Sequence, residues 1–373
     1  VKVFKGFKTE LAPNDRQRTL LLKSAGAARW AYNWGLSQKK AALDAKVKVP
    51  GVNELNKRLN VLKKTDLPWM YEVSKCCPQE ALKNLDAAFK RFWGGRKKSR
   101  KVGFPRFKSK RRGVGGFRLS GDFRVGLDHV RLPRLGAMRL KESGYIPAGA
   151  KALSATVTEH AGRWFVSVLV EVEQPEFAGV KDTESIVGVD LGVKTLAVVS
   201  DGQTFANPKT LGRRLKKLRR LQQSVSRKVK GSSNKKKAAK KVARLHYRIG
   251  CVRKDTLHKI TTQLTKTKSV VVIEDLNVSG MVKNRRLARA ISDVGFWEFR
   301  RQLQYKAPLY GCRVVVVNRY FPSSKMCSTC GVRNDALTLN DRTWICECGV
   351  THECRDLNAA INLRNAAVSP TEA

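Results

Sequence analysis

Three acidic residues stand at the ends of apolar runs: Asp190 in IVGVDLGV, Glu274 in VVVIEDLNV, and Asp356 at the opening of RDLNAAINL. A carboxylate at the mouth of a buried element is costly unless something pairs with it, so each is a candidate cation ligand. Hard oxygen donors of this kind suit Mg2+, which usually keeps some of its waters. Three of them converging could hold two ions, an arrangement that activates a water and stabilises the leaving 3′ oxygen of a phosphodiester. No His or Ser nucleophile is needed for that chemistry. Taken singly, each residue has a plainer reading, since an Asp at a strand end also caps a turn. Asp275, beside Glu274, points to the opposite face of its strand and reads as structural.

A second chemistry lies in KMCSTCGVRNDALTLNDRTWICECGVTHECRDLNAAINL. Cys327 and Cys330 form a C-x2-C pair, and after fifteen intervening residues Cys346 and Cys348 form a C-x-C pair. Four thiolates suit one tetrahedral Zn2+, a closed structural site that folds a loop with little core of its own. The C-x-C spacing departs from the commoner ribbon spacing, and Cys354 and His352 stand near enough to substitute. Asp356 follows Cys348 by eight residues. A zinc knot here would brace the segment feeding the last helix and hold Asp356 in register with Asp190 and Glu274. Lys325, Arg333 and Arg342 would add basic surface beside it.

The elements that must position these groups are legible in outline. The segment APNDRQRTLLLKSAGAARWAYNWGL opens a helix, with Asn14 as cap and Gln17 three residues on. Leu21, Ala25, Ala28 and Tyr32 follow at helical spacing, with small residues that admit a second helix closely. Trp30 and Trp34 on the same stretch read as core. Helical patterns continue to Gly94 and Gly95. Alternating runs then read as strands of a small barrel or sheet, completed by the N-terminal VKVFKGFKTEL. Past an acidic linker around 173–184, the order becomes strands, a long helical hairpin at 210–265, strand, helix, strand and a last helix. That is the order of an RNase H-like unit around one mixed sheet, so the fold class expected is α/β and multidomain.

The 373 residues carry 75 Lys and Arg against 30 Asp and Glu, a net charge of +45. Such a chain repels itself unless a polyanion neutralises it, and nucleic acid is the expected partner. No apolar run approaches membrane-spanning length and no charged-then-apolar leader is visible, so a membrane is not the expected partner. Nine cysteines, an odd number, fit metal-binding thiols in a reducing cytoplasm better than a disulfide framework. The chain opens on Val rather than Met, and a start slightly upstream is expected. Within RKKSRKVGFPRFKSKRR, Arg96, Lys97, Lys98, Arg106 and Lys108 are candidate phosphate contacts, and Phe104 and Phe107 candidate base-stacking faces. The hairpin at 213–248 is a further basic surface.

Four motifs, GVDLGVKTLAVVSDG, IEDLNVSGM, FPSSKMCSTCG and CGVTHECRDLNAAIN, occur in this order and together resemble the TnpB (OrfB) proteins of insertion sequences, compact relatives of type V CRISPR effectors. FKTELAPNDRQ, AGAARWAYNWGL and GFPRFKSKRR resemble that family as well, so the likeness spans nearly the whole chain. It departs at Cys354, where the family usually has Asp before the Arg-Asp pair. The resemblance implies a wedge β-barrel over 1–10 and 96–180 with a helical recognition lobe at 11–95 inserted in it. It further implies a RuvC nuclease domain over 181–321 and 354–373, interrupted by a zinc-ribbon, target-binding insertion at 322–353. By match to the family's motif, Asp190, Glu274 and Asp356 would be the catalytic Mg2+ ligands. The activity implied is RNA-guided cleavage of double-stranded DNA beside a short flanking motif, by a cytoplasmic monomer holding a guide RNA from the transposon end. Three rivals share some of these features: a non-cutting RNA-guided DNA-binding repressor, a metal-dependent junction nuclease, and a transposase of the RNase H-like class.

Overall fold

The computed structural model describes residues 2–97, 102–121, 123–147, 149–173, 185–338 and 341–368, and divides into two compact units, Val1–Pro175 and Glu176–Ala373. The acidic linker expected around 173–184 lies, beyond Glu173, outside the described residues.

In the first unit, β1 (Lys2–Leu11) leads into α1 (Asp15–Asp44), α2 (Val52–Lys64) and α3 (Cys76–Lys97). Three of the strands that follow are β2 (Gly116–Ser120), β3 (Lys151–His160) and β4 (Arg163–Glu173). The helix start is the expected capping box, with Asn14 Oδ1 accepting from Gln17 N at 2.8 Å and Gln17 Oε1 accepting from Asn14 N at 3.1 Å. The four strands form an open antiparallel sheet in the order β1-β4-β3-β2, with Lys2 opposite Glu173 and Leu11 opposite Trp164. A separate three-stranded sheet of Arg124–Val125, His129–Leu132 and Gly136–Arg139 meets it through a bridge between Leu11 and Leu140. The strands expected of a small barrel or sheet thus form two sheets linked by this bridge.

Leu21, Ala25, Ala28 and Tyr32 are buried as their spacing required. Close approach of α1 and α3 is enforced at Gly35, where an added Cβ would lie 2.6 Å from Leu82 Cδ2. Trp30 and Trp34 are half-buried, stack on each other at 6.0 Å, and pack on this core rather than standing free for bases.

In the second unit, β5 (Ile186–Asp190), β6 (Thr195–Val199) and β7 (Thr204–Ala206) precede the basic hairpin of α4 (Leu215–Ser226) and α5 (Ser233–Thr267). Then come β8 (Val270–Glu274), α6 (Phe296–Lys306), β9 (Arg313–Val317) and, after the cysteine-bearing segment, α7 (Arg355–Val368). The sheet order is β7-β6-β5-β8-β9, antiparallel across its first three strands and parallel across β5, β8 and β9. Purely apolar runs such as VVVI at 270–273 belong to strands covered on both faces. Val271 and Ile273 pack with Leu257, Ile260 and Phe299 on one side, while Val270 and Val272 pack with Leu363 of α7 on the other. Among the described residues no helix is long and apolar enough to cross a membrane.

Candidate active site and metal centre

Asp190 and Glu274 are the last residues of two adjacent parallel strands, β5 and β8, in which Val189 lies opposite Ile273 and Gly188 opposite Val272. One further step sets Asp190 beside Glu274. Because side chains alternate along a strand, both carboxylates point to the face that Ile186, Val270 and Val272 share with Leu363 of α7. Gly188 decides how near that helix can come. A Cβ there would lie 1.9 Å from Ala360 O and 2.6 Å from Arg364 N, so the helix backbone rests directly on the strand. Asp356 sits one turn before Ala360 and is carried by this contact to the strand ends.

The electrostatics record the meeting. The Asp190 carboxyl is pushed from 3.8 up to about 7, first by burial and then by the negative charges of Glu274 and Asp356. The Leu191 amide and Arg355 oppose this and are outweighed. The three groups are neighbours, less tightly gathered than the four cysteines. The Ser323 hydroxyl donates to Glu274 Oε1. Arg342 Nη1 donates to Asp356 Oδ1 at 3.2 Å. Asp275 points away as expected, pairs with Arg300 and Arg319, and is held below the usual carboxylate range by those hydrogen bonds.

A strap that sequence reading missed ties this site to the cysteine segment. Arg355, Asn358 and Asn362 form a polar stripe on α7, at 7%, 2% and 2% exposure. Arg355 donates to the backbone oxygens of Ser324 and Thr338. Asn358 Nδ2 donates to Met326 O at 2.7 Å while its Oδ1 accepts from Ser328 N at 2.9 Å. Asn362 Nδ2 donates to Ser323 O at 2.8 Å and Met326 O at 2.6 Å. Residues 323–328 are thereby fixed to α7 along their length. One end of the segment touches Glu274, and the other holds Cys327. The signal was present as polar residues at helical spacing in a run otherwise rich in Ala and Leu.

All four Sγ atoms of Cys327, Cys330, Cys346 and Cys348 lie within 4.8 Å of one another. Cys330 and Cys346 are 3.5 Å apart and Cys327 and Cys348 3.8 Å. A tetrahedral Zn2+ with bonds of about 2.3 Å needs sulfurs roughly 3.8 Å apart, so the donor set fits the ion. Both hairpin turns close on a glycine, with Gly331 N to Cys327 O at 3.0 Å and Gly349 N to Cys346 O at 2.8 Å. The shorter C-x-C spacing therefore still delivers both sulfurs.

Against its burial, the Cys327 thiol is drawn down to about 5 by hydrogen bonding to the Cys330 and Thr329 amides and to His352. For Cys346, which accepts the Cys348 amide, burial and the facing thiols prevail and push it up to about 12. His352, a candidate substitute by its position in the sequence, lies outside the four-sulfur cluster. Its Nε2 is 3.2 Å from Cys327 Sγ and its ring lies on Trp344, so it supports a ligand. Cys354 is exposed and outside the cluster. Lys325 and Arg333 pair with Asp335, which leaves Arg342 as the cation of that trio that reaches the carboxylates.

The basic run divides. Phe104 packs edge-on against Phe89 at 5.4 Å and Phe92 at 5.3 Å, which makes it an anchor for the segment rather than a free stacking face. Phe107 remains 51% exposed. Lys108 Nζ lies over the Tyr32 ring at 4.0 Å. Arg96 lies over Phe92 and Trp93, Arg106 is exposed, and Lys97 ends α3. Lys98 lies outside the described residues.

Three family models match the chain: OrfB_IS605, described as "Probable transposase", over residues 167–285; "Cas12f1-like, TNB domain" over 296–363; and a "Helix-turn-helix domain" over 3–48. The last of these stretches folds here as β1 and the single helix α1. A protein of Streptomyces pristinaespiralis named "Putative RNA-guided DNA endonuclease" is 38% identical over 99% of this chain and 90% of its own length. Escherichia coli K12 "Putative RNA-guided DNA endonuclease InsQ" is 33% identical over 97% of this chain and 92% of its own. The fold is similar to the protein in a solved Cas12f1–sgRNA–target DNA complex, with a TM-score of 0.58, 14% identity, and coverage of 98% of this chain and 99% of that one.

Proposed function

We propose that this chain, which belongs to the TnpB (OrfB) family of transposon-encoded proteins, is an RNA-guided endonuclease that hydrolyses double-stranded DNA next to a short flanking motif. The observation that carries the reading is the gathering of Asp190, Glu274 and Asp356 at one edge of the mixed sheet, at the cost of a carboxyl pushed up to about 7. Crowded, half-buried like charges are tolerated in a fold when something of opposite sign belongs among them. The sheet order is that of an RNase H-like, RuvC-type domain, assigned to 181–321 and 354–373. The cysteine segment at 322–353 is its zinc-ribbon, target-binding insertion. The first unit supplies a wedge domain over 1–10 and 96–180 and a helical recognition lobe at 11–95, with boundaries that fall within a few residues of β1, α1 and α3.

Asp190, Glu274 and Asp356 would hold two Mg2+ ions, which when bound supply an activated water and charge neutralisation at the leaving 3′ oxygen. Ser323 orients Glu274 by its hydroxyl. Arg342 restrains Asp356 and adds positive charge at the rim where a phosphodiester would lie. Cys327, Cys330, Cys346 and Cys348 would hold one structural Zn2+, and the Arg355–Asn358–Asn362 strap carries that rigidity to the carboxylates. Sequence choice would belong to pairing between guide and target, with the protein gripping backbones through its net charge of +45. A single chain per guide RNA is the assembly proposed.

The test is a plasmid library with a fixed target beside a randomised flank, incubated with Mg2+ and protein co-expressed with RNA from its own locus. Double-strand breaks beside one flanking motif, lost in Asp190→Ala and in EDTA, are the expected result. Motif-specific binding without breaks would make the chain a repressor. Breaks that ignore the guide would make it a junction nuclease, and strand joining would make it a transposase.

A further inference from the structure

The strongest unassigned feature is a cavity of about 330 Å³ in the first unit, between α1 and the segment running from Arg106 to Gly116. Its size is at the lower end of the range for ligand sites. Its lining residues include three cations, Arg29, Arg106 and Lys108, the last with its Nζ over the Tyr32 ring, and one large exposed ring, Phe107, with no acidic residue among them. The walls are built rather than incidental. Asn33 grips the segment twice, its Nδ2 donating to Lys108 O at 2.9 Å and its Oδ1 accepting from Lys108 N at 2.8 Å, as a strand partner would. Phe104 wedges the same segment against α3. Arg29 Nη1 donates to Val114 O at 3.0 Å, which fixes the guanidinium at the cavity wall.

The floor is glycine. Gly113 and Gly115 have φ of +134° and +83°, conformations that L side chains rarely adopt, and a Cβ added at either would meet open space. The backbone is therefore held bare beside the cations.

From this geometry we infer that the cavity binds one nucleotide of single-stranded nucleic acid, its phosphate on Arg29, Arg106 and Lys108 and its base on the face of Phe107. Three positive donors with no acid select an anion, and an exposed ring beside them selects an anion that carries a flat face. A duplex keeps its bases stacked inside, so the nucleotide must be unpaired or splayed. The inference rests on the proposed function only for its class of partner. The guide RNA and an unpaired DNA strand share this chemistry, and the experiment separates them.

Full-length protein would be irradiated with an oligouridylate carrying one 4-thiouridine, and in parallel with an oligothymidylate carrying 4-thiothymidine, and the adducts mapped by peptide mass spectrometry. Binding of the same oligonucleotides would be followed by fluorescence anisotropy through a salt series. A crosslink on the peptide containing Phe107 is expected, lost in Phe107→Ala with about fivefold weaker binding or more, and restored in Phe107→Tyr. Arg106→Gln and Lys108→Gln should each weaken binding and flatten the logarithmic salt dependence by about 0.7. A crosslink with RNA alone assigns the cavity to the guide, and with DNA alone to an unpaired DNA strand. Adducts only elsewhere, with Phe107→Ala binding as the parent does, would overturn the assignment while guided cleavage still stood. Failure of the parent protein to bind either oligonucleotide would overturn the nuclease reading as well.

Discussion

Asp190 holds its proton more tightly in the folded chain than in an unfolded one, because burial and two neighbouring carboxylates raise it from 3.8 to about 7. The stabilisation linked to that proton is full below the unfolded value and is lost as pH rises through about 7. In EDTA, then, thermal stability should fall between about pH 4 and 7, the window that those two values set. Mg2+ should reverse most of the fall, since a cation among the carboxylates favours the charged form. Asp190→Asn removes the charge and should melt higher than the parent at pH 7 in EDTA, while losing cleavage entirely. A melt of Asp190→Asn below the parent's under those conditions would mean that the carboxylate repulsion has been misread.

Between elements, the telling contact is that of α7 on β5. Gly188 has no room for a methyl group against Ala360 O and Arg364 N. Gly188→Ala must lift the helix, at a cost of about 1–3 kcal/mol. Because Asp356 rides on that helix, divalent ion affinity should fall along with stability, a pairing measurable by Mn2+ titration and urea unfolding. The strap from the Cys327 segment through Asn358 and Asn362 to Ser323 and Glu274 makes a companion case. Cys330→Ser should lower bound zinc, melting temperature and cleavage together, as metal analysis, calorimetry and the plasmid assay would show. Full cleavage at normal stability in that variant would remove the bracing role of the knot.

For the molecule as a whole, a net charge of +45 sets the behaviour in solution. Nucleic acid binding should weaken steeply between about 50 and 200 mM salt, by factors of a thousand or more if six or more phosphates are neutralised. The free protein should melt below its complex with RNA from its own locus, and the gap should narrow as salt rises, since a ligand bound only to the folded state stabilises it by an amount that grows with the logarithm of ligand concentration over Kd. Calorimetry with and without that RNA at two salt concentrations tests both statements. An RNA-independent melting temperature would count against RNA as the resident partner.

Where chemistry depends on local order, reading along the chain was enough. The helix start at Asn14, the buried spacing of Leu21, Ala25, Ala28 and Tyr32, the opposed directions of Glu274 and Asp275, and the cysteine pairs all follow from short-range periodicity and turn geometry. The element order of the mixed sheet follows from runs long enough to bury. Local pattern carries no distance between segments far apart in sequence, and the remaining features depend on such distances. Phe104 and Phe107 lie in one run, yet only packing on Phe89 and Phe92 made the first an anchor and left the second exposed. The role of Gly188 could not be seen until a helix from the far end of the chain lay on it. Arg342 and Ser323 became partners of Asp356 and Glu274 because tertiary folding closed loops that sequence spacing leaves open. Composition shows that the chain needs a polyanion; only folding decides which of its 75 cations face one cavity.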